Sequence, residues 1–443
     1  MSAVKIDLSK PTGKIKPMNC VNNGPAGSRV RKTGNFETYE WLNIPYARTH
    51  DSAFYTGYGG EYTVDVHRVF PNFDADVNDP KSYLFAPTDR YLQDIESVGT
   101  KVFYRLGASI EHYYKKGTYP PKDYKKWAQI CERIIRHYTE GWANGFKMDI
   151  EYWEIWNEPD CHNSDGSSPC WQGTYPEFYD FYEVVAKHLK TNFPNLKIGG
   201  PALTGAWCAI GDEFLAEMQK RKVPLDFYSF HCYSHLVSAF TDMIAFADNQ
   251  RKKYGYEKTE LHLNEWNYIK GWLAEQWDYS LRMEKGLKGA AFAGAVMCEM
   301  QKSALDMLMY YEARPSGMCG LFDTNTLKPL KTYYTFKAFD QVKQLENSVL
   351  TQCEEDFYSV ASSDGNSGAV MIARFDDNDD ASAKELLVEF KNNKLGAVRL
   401  EFYLLDESND LNLTKEEFFT SENFNVRLKM ENQTLYLIKL VKI

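Results

Sequence analysis

Short apolar runs alternate with amphipathic stretches over most of the chain. Eight of the runs have the length and β-branched or aromatic character of buried strands, at residues 18–21, 46–49, 102–106, 152–156, 196–199, 227–230, 261–264 and 306–310. Between the third and fourth, Trp127, Ile130, Cys131, Ile134 and Tyr138 recur at helical spacing, which predicts a helix over residues 123–138. Residues 286–300, rich in Ala and Leu, exceed a strand in length and read as the seventh helix of the series. Strand and helix in repeated alternation predict a parallel sheet covered by helices, and eight such units predict a (β/α)8 barrel over residues 18–340. From about Gln344 the texture changes to short alternating segments separated by Asp, Asn, Gly and Ser. That pattern predicts a smaller C-terminal β-sandwich at residues 344–443, on which the N-terminal segment 1–17 is a candidate to pack.

Composition changes this picture in few places. At 443 residues, 44% hydrophobic and 25% charged, the chain can bury a large core without metals or disulfides. Aromatic residues reach 15%, a surplus that suits either a heavy core or a site that stacks on sugar rings. A formal net charge of -10 and no stripe of Lys and Arg argue against nucleic acid as a partner. No apolar run is long enough for a membrane span, and residues 1–20 lack the apolar stretch of a secretory signal. The expectation is a cytoplasmic protein, or a secreted one if a signal has been removed. Nine cysteines without a CxxC pair point to a reducing compartment. Cys161 and Cys170, bracketing a short segment, leave open a loop disulfide or a metal site with His162.

Two glutamates each end an apolar, aromatic strand pattern: Glu158 in Trp153-Glu154-Ile155-Trp156-Asn157-Glu158-Pro159, and Glu265 in Leu261-His262-Leu263-Asn264-Glu265-Trp266-Asn267. The C-terminal ends of barrel strands converge on one face, so carboxyls far apart in sequence meet across the mouth. Such a pair is what retaining glycoside hydrolysis needs, one carboxyl protonating the leaving oxygen while the other attacks the anomeric carbon.

At these residues the chain resembles glycoside hydrolase clan A, whose members carry Asn-Glu-Pro at the end of the fourth strand and a second glutamate at the end of the seventh. Asn157 and Glu158 match the first motif, and Glu265 with Trp266 and Asn267 matches the second. Order and spacing resemble family 39 in particular, the family of β-xylosidases and α-L-iduronidases. Further matches are Ala47-Arg48-Thr49-His50 on the second strand and Phe230-His231-Cys232-Tyr233 on the sixth. The resemblance implies a retaining enzyme with Glu158 as acid/base and Glu265 as nucleophile. It implies Asn157 on the sugar 2-hydroxyl, and Arg48 and Tyr233 hydrogen-bonding Glu265 to keep it ionised. It also makes Trp266 a candidate substrate contact. His50 and His231 at strand ends are candidates for sugar hydroxyls, and Tyr311 and Glu312, which follow the eighth strand, for substrate contacts. The Trp that often floors the sugar site in the clan is absent from residues 306–312.

The substrate expectation is a neutral, β-linked oligosaccharide or glycoside cleaved from one end, with β-xylose first. A uronic acid would need an uncommitted cation, for which Arg68, Arg105 and Arg314 are the candidates. No cofactor and no metal are expected, and a homo-oligomer stays open. The rival readings are a sugar-binding protein on a retired barrel, which predicts loss of a catalytic position, and a metal-dependent hydrolase using His50, His112, His231 or His262. The histidines lack the paired spacing of a metal motif.

Overall fold

The computed structural model of the protein describes residues 2–29, 32–50, 63–108, 118–208 and 210–443. The chain opens with strand β1 (Ser2–Lys14), which lies outside the barrel. Eight strands then succeed one another round a closed barrel in chain order: β2 (Cys20–Asn22), β3 (Tyr46–Thr49), β4 (Lys101–Leu106), β5 (Tyr152–Ile155), β6 (Lys197–Leu203), β7 (Phe227–Ser234), β8 (Glu260–Tyr268) and β9 (Met307–Tyr310). Every pairing between them is parallel, and β9 closes on β2. The eight runs read as strands in the sequence are these eight.

Alternation along each strand sorts its side chains between the helices and the barrel axis. At the N-terminal end of the axis, Phe103, Tyr152 and Phe227 pack with Cys20, Met307 and Met309 into an apolar plug. The His262 ring stacks on Phe227 there, 4.7 Å away, so it belongs to the floor. One step along the same strands the inward positions turn polar, with Arg48, Glu154, Ser229 and Asn264 all fully buried. The next step is the mouth, where catalytic groups of this fold are carried.

The helices outside the barrel strands include α1 (Tyr124–Thr139), α2 (Tyr175–Asn192), α3 (Leu287–Lys302) and α4 (Lys331–Lys343). Asp123 caps α1 by accepting from the Lys126 amide at 3.0 Å. Thr174 and Glu177 start α2 with reciprocal side-chain to backbone bonds, a capping box. α3 is buried over Lys288–Cys298 without a break, because it lies between the barrel and the C-terminal sheet.

That sheet comprises β10 (Asn347–Cys353), β11 (Phe357–Ser363), β12 (Ser367–Arg374), β13 (Lys384–Lys391), β14 (Val398–Leu405), β15 (Asp410–Phe419), β16 (Phe424–Met430) and β17 (Thr434–Lys442), together with β1. The sequence suggests two packed layers. The strands of the two layers are joined in one continuous ladder, in the order β15-β14-β17-β12-β11-β10-β1-β13-β16. Its two ends share one core, in which Val4, Ile6, Val388 and Phe390 meet Ile372, Leu400, Phe402 and Ile438. β1 sits inside the sheet, antiparallel to β10 and parallel to β13, so the first residues of the chain and the last domain fold together. Among the described residues no helix is long and apolar enough to cross a membrane.

Candidate active site

Glu158 lies three residues beyond β5, and the turn that delivers it is unusual. Trp156 and Glu158 both have left-handed backbones, at φ +74 and +45, a costly conformation for non-glycine residues that surrounding structure must hold in place. The Glu158 amide donates to the Ala202 carbonyl at 2.8 Å. The buried Trp156 indole N–H donates to the Cys170 carbonyl at 3.0 Å, pinning the next loop to the strand end.

Glu265 reaches the mouth by a different device. Register between β7 and β8 steps from Phe230↔Leu263 to His231↔Glu265, leaving Asn264 as an extra residue in β8. Asn264 faces the axis and donates to Glu154 at 2.6 Å. The bulge turns the next residue, Glu265, towards the axis as well. It also corrects the expectation for Trp266. That ring points away from the mouth into the helix layer, fully buried against Phe240, Phe292 and Tyr310, where it cannot touch a substrate.

Around Glu265 the donors converge. Arg48 Nη1 and His50 Nε2 stand 2.8 and 2.7 Å from its Oε1, and the Tyr233 hydroxyl donates to Oε2 at 2.9 Å. His231 Nδ1 is 2.7 Å from Glu158 Oε1 and 3.5 Å from Glu265 Oε2, so one imidazole spans both carboxylates. Glu158, His231 and Glu265 each offer one atom within 4.8 Å of the others. Both histidines, read from sequence as sugar contacts, are thus placed on the carboxylates.

Environment separates the two acids. Burial raises the Glu158 carboxyl, the hydrogen bond from His231 offsets part of that, and the neighbouring Glu265 charge adds to the rise, so it stays above the usual range. Burial acts on Glu265 too, but His231, His50 and Arg48 outweigh it and hold the carboxyl well below that range.

The sequence reading missed the layer beneath. Arg48 donates through Nε to Glu154 at 2.6 Å, through Nη1 to Asn22 at 3.0 Å and through Nη2 to Asn157 at 2.6 Å. Glu154 is completed by Ser229 Oγ at 2.6 Å and by Asn264. The signal was present in the strand itself, since Glu154 is a charge on the inward side of an otherwise apolar, aromatic run. Because Arg48 can only donate, Asn157 turns its carbonyl oxygen to the guanidinium and leaves its amide N–H groups for the mouth.

The remaining candidates divide. The Tyr311 ring stands edge-on to His50 and Tyr233, with centroids 5.7 and 6.5 Å away, so an aromatic does border the site at the end of β9. Glu312 is buried and accepts from Asn23 at 2.5 Å, Ser316 at 2.7 Å and Arg314 at 3.1 Å, which corrects its reading as a substrate contact to a brace beneath the rim. His112 lies outside the described residues. His162 is turned to the Tyr175 hydroxyl, 2.9 Å away, rather than to the cysteines.

Known proteins share this architecture. A glucosidase from Croceicoccus marinus superposes with a TM-score of 0.82 at 20% identity, covering 100% of this chain and 99% of that one. A monomeric beta-xylosidase from Caulobacter crescentus CB15 gives 0.73 at 17% identity over the full length of both. In sequence, a beta-xylosidase of Geobacillus stearothermophilus is 34% identical over 164 residues, 34% of this chain and 31% of that one. An alpha-1,4-L-rhamnosidase of Formosa agariphila is 22% identical over 215 residues, 46% of this chain and 41% of that one. The match therefore spans less than half the length of either sequence relative. The model of the glycosyl hydrolases family 39 matches residues 2–267, more than half of the chain, and the chain belongs to that family.

Proposed function

We propose that this chain is a retaining glycoside hydrolase of β-xylosidase type, releasing single neutral β-linked sugars from a chain end. The observation that carries the reading is the pair Glu158 and Glu265, with one oxygen of each within 4.8 Å of the other and the two carboxyls under opposite electrostatic pressure. Retaining enzymes hold their carboxyls about 5–5.5 Å apart, whereas inverting ones leave about 6.5–9.5 Å for a water. In the first step ionised Glu265 attacks the anomeric carbon as Glu158 gives its proton to the leaving oxygen. The Glu265 charge is discharged in the glycosyl ester, which removes the repulsion that added to burial in holding the proton on Glu158. Glu158 then takes a proton from water, and the hydroxide displaces Glu265. Asn157, oriented by Arg48, donates to the 2-hydroxyl as charge develops.

A neutral sugar is favoured because, of the candidate arginines for pairing a uronate, Arg105 is committed to Asp65 at 2.9 Å and Arg314 to Glu312 at 3.1 Å. End-cleavage is supported by the loop from Cys161 to Cys170, tied to Trp156 beside Glu158, which walls one side of the site. The β-xylosidase relative supports xylose.

The test is Glu158→Ala with an activated aryl β-xyloside and azide. The expected product is β-xylosyl azide, with Glu265→Gln giving under about a hundredth of wild-type turnover and no such adduct. An inactive, folded Glu158→Ala that forms no azide product sinks the assignment. Internal cuts in a xylo-oligosaccharide series, or activity confined to an iduronide or a rhamnoside, overturn the substrate.

A further inference from the structure

We propose that Cys161, Cys170 and Glu158 form an inhibitory site for a thiophilic divalent cation, zinc or cadmium. The three residues each present one ligand atom within 4.8 Å of the others, and Cys170 Sγ is 4.0 Å from Glu158 Oε2. Both thiols are free. Neither contact is an accident of a loose loop. The Cys161 amide donates to the Glu158 carbonyl at 3.1 Å, holding Cys161 one turn past the acid, and the Trp156 indole holds Cys170 at the far end.

Two thiolates and a carboxylate are a donor set that zinc accepts, with sulfur at about 2.3 Å and oxygen at about 2.0–2.2 Å; tetrahedral ligands at those lengths stand roughly 3.3–3.8 Å apart. Closing the present cluster onto an ion therefore needs each side chain to move by less than about an ångström. Cys170 is buried while Cys161 is partly exposed, which gives the ion a route in and leaves a fourth position for water. Binding releases both thiol protons and the Glu158 carboxyl proton to solvent, and the ion occupies the Glu158 lone pair that would otherwise carry the catalytic proton. The inhibitory consequence rests on the proposed acid/base role of Glu158; the binding does not. A rival cation position, Glu158 with His231 and Glu265, contains no sulfur.

Cadmium titration of the whole protein in oxygen-free buffer separates these cases, reading both hydrolysis of an aryl β-xyloside and the ultraviolet thiolate-to-cadmium charge-transfer absorption. The expected result is one equivalent of cadmium raising absorption and inhibition together, both reversed by a chelator. Cys161→Ser and Cys170→Ser should each lose most of the absorption and need at least about tenfold more cadmium for the same fractional inhibition, measured against each variant's own metal-free rate. No charge transfer in the wild type overturns the site, as does inhibition unchanged in Cys161→Ser, which would place the ion on His231 and Glu265. Thiol-dependent absorption without inhibition overturns the role of Glu158 and leaves the cation site standing.

Discussion

Arg48 decides the character of the mouth. Its guanidinium is wholly buried, faces the carboxylates of Glu154 and Glu265, and orients Asn157 with the remaining edge. A lysine has neither the planar fork nor the reach to make all four contacts. The charge on Glu265 is therefore built into the barrel before any substrate arrives, and Glu158 meets that charge from across the site. The roles proposed above for the two glutamates predict a pH dependence of definite sign. Glu265, held low, loses its charge only below the ordinary carboxylate range near pH 4, so activity survives into acid. Glu158, held high, keeps its proton above that range, and kcat/KM falls as pH rises through its raised value. Glu158→Gln, assayed on an aryl glycoside whose leaving group needs no acid, should keep the acid limb and lose the alkaline one. An alkaline limb that persists in this variant would assign it to another group. Both glutamates were legible in the sequence because each closes a recognisable strand motif. Of their partners, Arg48 and Tyr233 were expected on Glu265 from the family resemblance and bond it there, whereas His50 and His231 stood out only as strand-end histidines, since nothing in one strand says that a neighbouring strand will set a carboxylate against them.

The elements that deliver these residues show where reading a sequence stops. All eight barrel strands were visible as apolar runs, and the helix over residues 123–138 was visible as a period. The extra residue in β8 was not, since a bulge is defined by a partner strand and Leu263-Asn264-Glu265-Trp266 has no local mark of one. Simple alternation puts Asn264 and Trp266 on one face, and the bulge separates them, one on the axis beneath the site and one in the helix layer. β1 was missed as a strand for a related reason: only Val4 and Ile6 are fully buried in it, and its neighbours come from the far end of the chain. α3, by contrast, announced its burial through an unbroken run of Ala, Gly and apolar residues. Gly294 marks where that helix meets the C-terminal sheet, since a Cβ there would stand 2.9 Å from a Leu435 methyl and 3.1 Å from the Ala373 Cβ. Gly294→Ala should be nearly neutral, its helix propensity gain of about 1 kcal/mol offsetting a contact that a leucine tip can relieve. Gly294→Leu has no such room and should cost about 1–3 kcal/mol in urea unfolding. Equal stability of the two variants would mean that the sheet does not dock on α3 this closely.

At the scale of the whole molecule, barrel and sheet are joined by one core and one buried charge. The core side is apolar: Phe292 of α3 meets Phe375 edge-on at 5.2 Å, and Leu435 closes over Gly294. The charge is Lys288, 2% exposed at the start of α3, whose ammonium donates to the Tyr279 hydroxyl at 2.8 Å, to the Asp377 carbonyl at 2.6 Å and to Asp379 Oδ1 at 2.8 Å, with Asp377 Oδ1 at 3.0 Å. The two ends of this link are unequal. Lys288 has no water to return to, whereas the Asp379 carboxylate is 55% exposed and resolvates if its partner is lost. Removing the carboxylate charges, with Asp377→Asn and Asp379→Asn together, leaves an ammonium buried among neutral dipoles and should cost about 2–3 kcal/mol. Lys288→Met removes the buried charge itself while keeping the chain's bulk, and should cost less. Acid separates the two further. Burial raises Asp379, but hydrogen bonds from Lys288, Tyr279 and Gln433 bring it down to about 2, below an unfolded value of about 4. Its contribution is therefore fully present above about pH 4 and is lost as pH falls towards about 2. Wild type should lose stability over that window more steeply than the double asparagine variant, and the two curves should converge at its acid end. Parallel curves from pH 7 to pH 2, measured by urea unfolding, would show that the charges of Asp377 and Asp379 do not stabilise the link between the halves.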